Sequence, residues 1–502
     1  MAHAERIQSG LNSYLKPILQ DYQERIVCHT QPKILRDVIW GFNSFNPYEL
    51  AIIDSPPFQR LRDILQTSLA FLTYPCAVHT RFEHSLGVAA VAARMLNAIN
   101  ERKKGCVDPK MAVEVRLAAL LHDLGHGPFS HGSEKFYGRL TDENGGSIFE
   151  SLKTENRMFA EASPSEIISF LLVTTASFKQ LWSVISDSYS SSVPELRDVN
   201  LDRVASMIVG SDDLVGEGGR FYRQIINGPF DADKLDYLPR DGYFTGLEIV
   251  VDIERLLKTV TVITENSISD IAVVISGASV LEQVIFSKTQ LYASMYHHHK
   301  VRAAHQLLMR LFQTILEREY KPAGRNLKDP ISYIMLDDSD FLRSDYDDAK
   351  VDSIVRMIKR RILPQRALVV SYPCFGRGDA VSRENFEKLD EEDLKKVEKE
   401  VEGKLKLPEN SVFFDIPDLP RLGGQAQAAV EVADNYRLLL QDLFPAGAWG
   451  KAFAGYRRVA YVFTTNTDTN RRRDIGEAVR DILGHLKYPI KLNGNALKLA
   501  KV

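Results

Sequence analysis

The sequence predicts a mainly α-helical protein, with a helical core over residues 1–315 and a smaller mixed α/β lobe over residues 316–502. Three observations carry this expectation. Apolar residues recur at three- and four-residue steps through the first three hundred positions, whereas short β-branched and aromatic runs set in from Leu363. A chain of 502 residues is also too long for one compact core, so two or three units are expected.

The elements follow in order. Ser55 ahead of Pro56 and Pro57 marks a helix start, with proline tolerated in the first turn. Leu86, Val88, Val91, Met95 and Ile99 share one face of a helix that has His84 at its beginning. Val113, Leu117, Leu120 and Leu121 do the same over Met111–His122. Gly125 and the Gly127-Pro128 pair then stop that helix just past His122-Asp123, which puts His126 and His131 on a tight loop or short turn. The longest apolar stretch, Ile271 to Phe286, is broken by serine, glycine and Glu282 and is too short to span a bilayer. In the second lobe, Arg366–Tyr372 and Arg457–Phe463 are strand-like. Between them Glu384–Lys406 is a solvated helix of mixed charge with a thin apolar face of Leu389, Leu394, Val397 and Val401.

Composition narrows the function classes. Hydrophobic residues make up 44% and charged residues 26%, as in ordinary globular proteins. A net charge of -3 argues against a general affinity for nucleic acid. Arg471-Arg472-Arg473 and Lys359-Arg360-Arg361 are read as solvated charge. Cys28, Cys76, Cys106 and Cys374 are far apart and form no Cys-x-x-Cys pair, so they are read as reduced thiols. With no apolar leader, the expectation is a soluble, cytoplasmic protein with no membrane partner.

Chemistry concentrates in Arg81-Phe82-Glu83-His84, in Leu121-His122-Asp123-Leu124-Gly125-His126-Gly127-Pro128-Phe129-Ser130-His131, and in Asp231-Ala232-Asp233-Lys234-Leu235-Asp236-Tyr237. Imidazoles beside carboxylates form the donor set of a divalent metal. His84, His122, Asp123 and Asp233 are the expected ligands: two neutral imidazoles and two carboxylates balance a divalent charge. A nitrogen and oxygen set without thiolate suits Mn, Fe, Mg, Zn or Co alike.

These residues resemble the HD-domain phosphohydrolases, and within them the deoxynucleoside triphosphate triphosphohydrolases. The likeness runs from about Lys33 to His84, through the histidine-rich loop, to Asp233-Lys234-Leu235-Asp236-Tyr237, and weakly to Arg366-Ala367-Leu368-Val369. It implies an HD-domain helical core and a metal-dependent hydrolase that splits a dNTP into deoxynucleoside and triphosphate. It implies His131 with Glu134, and His126, as catalytic groups, with His131 and Glu134 lined up on the α-phosphate. Arg81, Lys234 and His126 are implied as triphosphate contacts, and Gln66, Tyr237 and Asp241 as the frame of the sugar and its 3′-hydroxyl. Asp54, Gln59 and Arg62 match residues that read a guanine effector at a second, allosteric site between subunits, so a nucleotide effector and a homo-oligomer (dimer or tetramer) are further implications, with the C-terminal lobe taking part in oligomer contacts. Arg36 and Trp40 depart from the family's usual residues there. Tyr296-His297-His298-His299-Lys300-Val301-Arg302 resembles the helix bordering the active site.

One departure bears on the reaction. The family has a further histidine in a His-Glu step after the loop; here the match is Ser163-Pro164-Ser165-Glu166, or less well Thr154-Glu155-Asn156. Serine is no general acid near neutral pH, and a missing proton donor costs on the order of 10²–10⁴-fold in rate. Two alternatives therefore stand beside the dNTP reading: hydrolysis of another nucleotide or phosphoester at the same metal, and a nucleotide-binding regulator with weakened catalysis.

Overall fold

The computed structural model describes residues 2–26, 29–343, 346–376, 379–420, 423–433, 436–445, 448–449 and 458–502. Cys28 and Arg457 lie outside the described residues; Cys76, Cys106 and Cys374 are free thiols. The fold is 59% helix and 11% strand, mainly α as expected. Two compact units divide it, and the chain passes between them more than once. One comprises Met1–Lys288, Phe312–Asp345 and Leu422–Gly447; the other comprises Thr289–Leu311, Tyr346–Arg421 and Ala448–Val502. Among the described residues no single helix is long and apolar enough to cross a membrane.

In the first unit, helix α1 spans Arg81–Arg102 and α2 spans Pro109–Leu121. Thr80 caps α1 in a reciprocal capping box with Glu83. Asp108 caps α2 by accepting the Met111 N–H at 3.0 Å, and Pro109 occupies the first turn. Val115, Leu117, Ala118, Ala119 and Leu120 are fully buried on α2. It is therefore a core helix, and it carries His122 as its C-terminal cap residue. Helix α3 spans His131–Tyr137, α4 spans Pro164–Val173, and α5 spans Ala232–Thr245. Asp231 caps α5, and Gly246 ends it in the left-handed region at φ 70°. α5 packs on α1 at Gly87, where a Cβ would lie 2.0 Å from Asp236 Oδ1.

Two antiparallel strands, Lys33–Asp37 and Gly41–Phe45, form a hairpin with Lys33 opposite Phe45. A four-stranded sheet orders Val260–Glu265, Ile268–Val274, Ala429–Ala433 and Tyr436–Leu439, its middle pair being parallel.

The second unit is built on a three-stranded antiparallel sheet with Ala460–Thr464 between Gln365–Val370 and Val412–Asp415. Leu368, Val370, Val412, Phe414 and Val462 bury against Val397 and Val401 and against Ile475, Val479 and Ile482 of helix Thr469–Gly484. Strand Gln365–Val370 answers the expectation over Arg366–Tyr372, and strand Ala460–Thr464 answers the described part of that over Arg457–Phe463. The expected single helix over Glu384–Lys406 is two helices, Ala380–Glu387 and Glu391–Lys404. Asp390 starts the second with its own capping box, and a cap residue with extended backbone cannot continue the first. Its apolar face is not merely thin: Val397 and Val401 are core residues.

Candidate metal centre

Three elements converge on one point. α1 brings His84, the end of α2 brings His122 and Asp123, and the first turn of α5 brings Asp233. One donor atom each from His84, His122 and Asp233 lie within 4.8 Å of one another. His84 Nε2 is 3.0 Å from Asp233 Oδ1 and 3.7 Å from Asp123 Oδ2. Asp123 Oδ1 is 3.3 Å from the Nε2 atoms of both His122 and His126. The four expected ligands are thus brought together, with Asp123 shared between two groups.

Each imidazole is anchored through its other nitrogen. His84 Nδ1 lies 2.7 Å from Asp236 Oδ2, and His122 Nδ1 donates to the Ala119 carbonyl at 2.8 Å. A carbonyl only accepts, so His122 carries its proton on Nδ1 and a lone pair on Nε2. Nε2 of His84 and Nε2 of His122 are buried and make no hydrogen bond of acceptable geometry. Two anchored imidazoles with unpaired inner nitrogens beside two carboxylates fit a divalent cation. Electrostatics agree. Burial disfavours an imidazolium at His84, yet Asp233 and Asp236 outweigh it and raise its pKa to about 10. The carboxylates around His84 thus favour positive charge at this position. Burial likewise opposes the Asp123 carboxylate, and Arg81, His122 and His126 reverse this and hold it well below its usual range.

Asp236 is the hub behind the ligands. Besides His84 it accepts from Trp40 Nε1 at 2.5 Å and from Arg240 Nε and NH2 at 2.8 and 2.9 Å, and it is completely buried. Arg240 also reaches Asp37 at 2.9 Å. The spacing of Asp233 and Asp236, one helical turn, was the signal available in sequence. Trp40, which departs from the family's usual residue, gains its place here.

Around this centre, Arg81 is buried, donating Nε to Ser130 Oγ at 3.0 Å and NH1 to Asp123 at 2.7 Å, with NH2 left without a hydrogen bond. His126, His131 and Glu134 form a second group whose donor atoms also lie within 4.8 Å. His131 Nδ1 is 2.6 Å from Glu134 Oε2. Glu134 Oε1 accepts from the Ser165 N–H at 3.0 Å and from the Ser165 hydroxyl at 2.6 Å. Burial raises the Glu134 carboxyl, but His131, His126 and Ser165 hold it below the usual carboxylate range. His126 is pulled down to about 4 by burial and Arg81, so it is neutral, with Nδ1 buried and unpaired. Of the two registers for the absent histidine, the first is the one that meets the site: Ser165 touches Glu134.

The loop carrying these groups is strained. Phe129 and Ser130 adopt φ 59° and 53°, which costs on the order of 1–3 kcal/mol per residue. Asp338 accepts from Phe129 N at 2.6 Å and Leu65 N at 3.0 Å, and Ser130 Oγ donates to the Leu65 carbonyl at 2.6 Å. Arg60 NH2 donates to the Leu124 and His126 carbonyls at 2.9 and 2.6 Å. Asp338 and Arg60 carried no signal in sequence, because their partners are remote main-chain atoms.

The other expected residues are dispersed. Lys234 bonds Asp231 and the Gly228 carbonyl. Asp233, Tyr237 and Asp241 follow at four-residue steps along one stripe of α5. Gln66 is buried with Oε1 unpaired, and Asp241 lies 2.8 Å from His79 Nε2. Asp54 and Arg62 line a separate cleft of about 330 Å³ with Lys33, Arg36, Asp37 and Phe82. The Arg62 guanidinium stacks 3.5 Å over the Phe82 ring. Gln59 bonds the Ile53 carbonyl at 2.7 Å and Arg62 at 2.8 Å.

Comparison with known proteins matches an HD domain over residues 81–167 and an HD associated region over 251–484. An uncharacterized protein of Methanocaldococcus jannaschii is 28% identical over 420 residues, 82% of this chain and 76% of that one. The deoxynucleoside triphosphate triphosphohydrolase SAMHD1 homolog of Dictyostelium discoideum is 29% identical over 332 residues, 64% of this chain and 55% of that protein. The chain thus spans about half the length of that enzyme. A hypothetical protein from Aquifex aeolicus, known by crystal structure, shares the fold at TM-score 0.60 and 23% identity, over 89% of this chain and 100% of that one.

Proposed function

The chain is an HD-domain protein of the metal-dependent phosphohydrolase class, and on that premise we propose that it hydrolyses deoxynucleoside triphosphates to deoxynucleoside and triphosphate in the cytoplasm. The observation that carries the reading is the pair of buried, unpaired Nε2 atoms of His84 and His122 facing Asp233 and Asp123. His84, His122, Asp123 and Asp233 would hold the ion, which when bound supplies Lewis acidity towards a phosphoryl oxygen.

The chain's own groups do the rest. Arg81 offers a buried guanidinium N–H to a phosphate oxygen, and in a dry pocket that interaction is worth more than in water. Lys234 adds a second cation. Neutral His126, its Nε2 turned to Asp123, offers Nδ1 as an acceptor near Arg81. Glu134 fixes His131 with Nδ1 towards the carboxylate, which leaves Nε2 to exchange a proton with the leaving sugar oxygen. Gln66, Tyr237 and Asp241 frame the sugar. Asp54, Gln59 and Arg62 take a nucleotide effector at the separate cleft, with a second copy of the chain completing the site in a homo-oligomer.

Ser165 favours a second reading, a nucleotide-responsive regulator with weakened catalysis, because the group against Glu134 is an alcohol rather than an imidazole. Purified protein with Mn or Mg and each dNTP, alone and mixed, followed by product chromatography, separates the two. Tripolyphosphate with deoxynucleoside supports the first reading, and pyrophosphate or monophosphate means a different phosphoester specificity. Thermal stabilisation without turnover favours the regulator. Full activity in Asp123→Asn would overturn the metal-centred reading.

A further inference from the structure

The expected sugar residues Gln66 and Asp241 belong to remote parts of the sequence, and His79 ties them together. The segment at Leu65 pairs antiparallel with the segment entering α1, Leu65 opposite Thr80. In that pairing the Gln66 N–H donates to the His79 carbonyl at 3.0 Å. The His79 side chain is completely buried, with Nε2 2.8 Å from Asp241 Oδ1. A carboxylate only accepts, so Nε2 carries the proton. The ring also stacks on Phe244, with centroids 4.5 Å apart and planes at 16°. Phe244 lies one turn beyond Asp241 on α5, so one helix supplies both the acceptor and the surface that restrains the imidazole.

The same paired segments hold three buried polar atoms without a hydrogen bond: Gln66 Oε1, Thr67 Oγ1 and His79 Nδ1. Unpaired buried polar atoms cost about 1–3 kcal/mol each, and a protein keeps several together where a polar ligand or water completes them. A fixed carboxylate beside them suits a hydroxyl donor.

We propose that His79 is a positioning residue for the nucleotide sugar: it holds Asp241 through its side chain and Gln66 through its main chain, so that the 3′-hydroxyl meets both in one fixed geometry. This rests on the function proposed above, in which Gln66 and Asp241 frame the sugar. His79 itself touches no reacting atom. Its effect is orientational, and displacement of a sugar contact by about 1 Å costs on the order of 10²-fold in rate.

The test compares hydrolysis of the four dNTPs with that of their 2′,3′-dideoxy analogues by the full chain, by His79→Ala and by His79→Gln. His79→Ala lowers kcat/KM on the dNTPs roughly 10- to 100-fold and leaves the dideoxy analogues within about twofold, because the hydroxyl it serves is absent. His79→Gln keeps an N–H within reach of Asp241 and recovers most of the loss. Equal losses on both substrates overturn the proposal and make His79 a core pair holding α5. Should His79→Ala not fold, His79→Asn, whose shorter amide does not reach Asp241, replaces it. If the unsubstituted chain hydrolyses neither nucleotide, the functional reading fails by itself. The same comparison is then made by thermal stabilisation: a parent stabilised more by dNTP than by dideoxy analogue, with the difference lost in the variant, supports His79, and no difference in the parent overturns it.

Discussion

Replacing Asp236 with Asn separates a ligand-orienting role from simple core packing. The carboxylate accepts four hydrogen bonds, from Trp40, His84 and twice from Arg240, at 2.5–2.9 Å with no solvent exposure. Asparagine preserves the volume but turns an NH2 towards one set of donors and removes the charge facing Arg240. Removing one partner of a buried ion pair costs about 3–5 kcal/mol. Arg240 keeps Asp37 at 2.9 Å, which puts the expected loss near the lower end, about 3 kcal/mol. At about 2–4 °C per kcal/mol for a large domain, the transition falls by roughly 6–12 °C. The same substitution frees His84 to turn or to change tautomer, and loss of such a supporting carboxylate weakens metal binding about 10- to 100-fold. Calorimetric titration with Mn and thermal denaturation with and without chelator measure the two effects separately. A variant that melts lower but binds Mn as tightly as the parent would refute the orienting role and leave Asp236 as a core ion pair only.

Gly87→Ala drives a Cβ to 2.0 Å from Asp236 Oδ1 and 2.3 Å from Arg240 NH2, so it should lower stability by about 1–3 kcal/mol and lower metal occupancy as well, measured by melting and by metal analysis. Gly125→Ala places a Cβ 2.1 Å from the Ser165 carbonyl and 2.5 Å from Ser169 N, both main chain; activity should fall with the shifted loop even where the protein folds, as a kcat measurement would reveal. Chelation should lower the melting temperature and Mn should restore it, by about 2.7 kcal/mol at a hundredfold excess over Kd; an unchanged melt would leave the centre without its ion. In the second unit, burial raises Glu398 from 4.5 to about 7, although Phe414 N–H and Arg310 favour its charge. A raised folded pKa means that the folded state holds the proton more tightly, so stability is fully present below about pH 4.5 and declines as pH rises to about 7. Glu398→Gln keeps an acceptor for Phe414 and removes that decline, melting higher than the parent above pH 7 by on the order of 1–3 kcal/mol; melting curves between pH 5 and 8 decide it.

Much of the site is legible in the chain's local patterns. His84 at the head of a helix, His122-Asp123 at the end of another, and the glycine-marked stop after them are local facts, set by helix periodicity and capping within a few residues. The helical core and the later strands are legible for the same reason. The helix break at Asp390 is equally local, yet the charge pattern on either side conceals it.

What the sequence by itself determined was therefore the inventory: which residues can bind a cation, which helix turns carry them, and that one imidazole is absent. Tertiary structure decided the pairings. Asp236 with His84, Asp338 with Phe129 and Leu65, Arg60 with His126 O, His79 with Asp241, and Ser165 with Glu134 all join different elements. No local periodicity encodes them, because each exists only once the packed core has removed water from both partners and left each polar group the other as its remaining hydrogen-bonding choice.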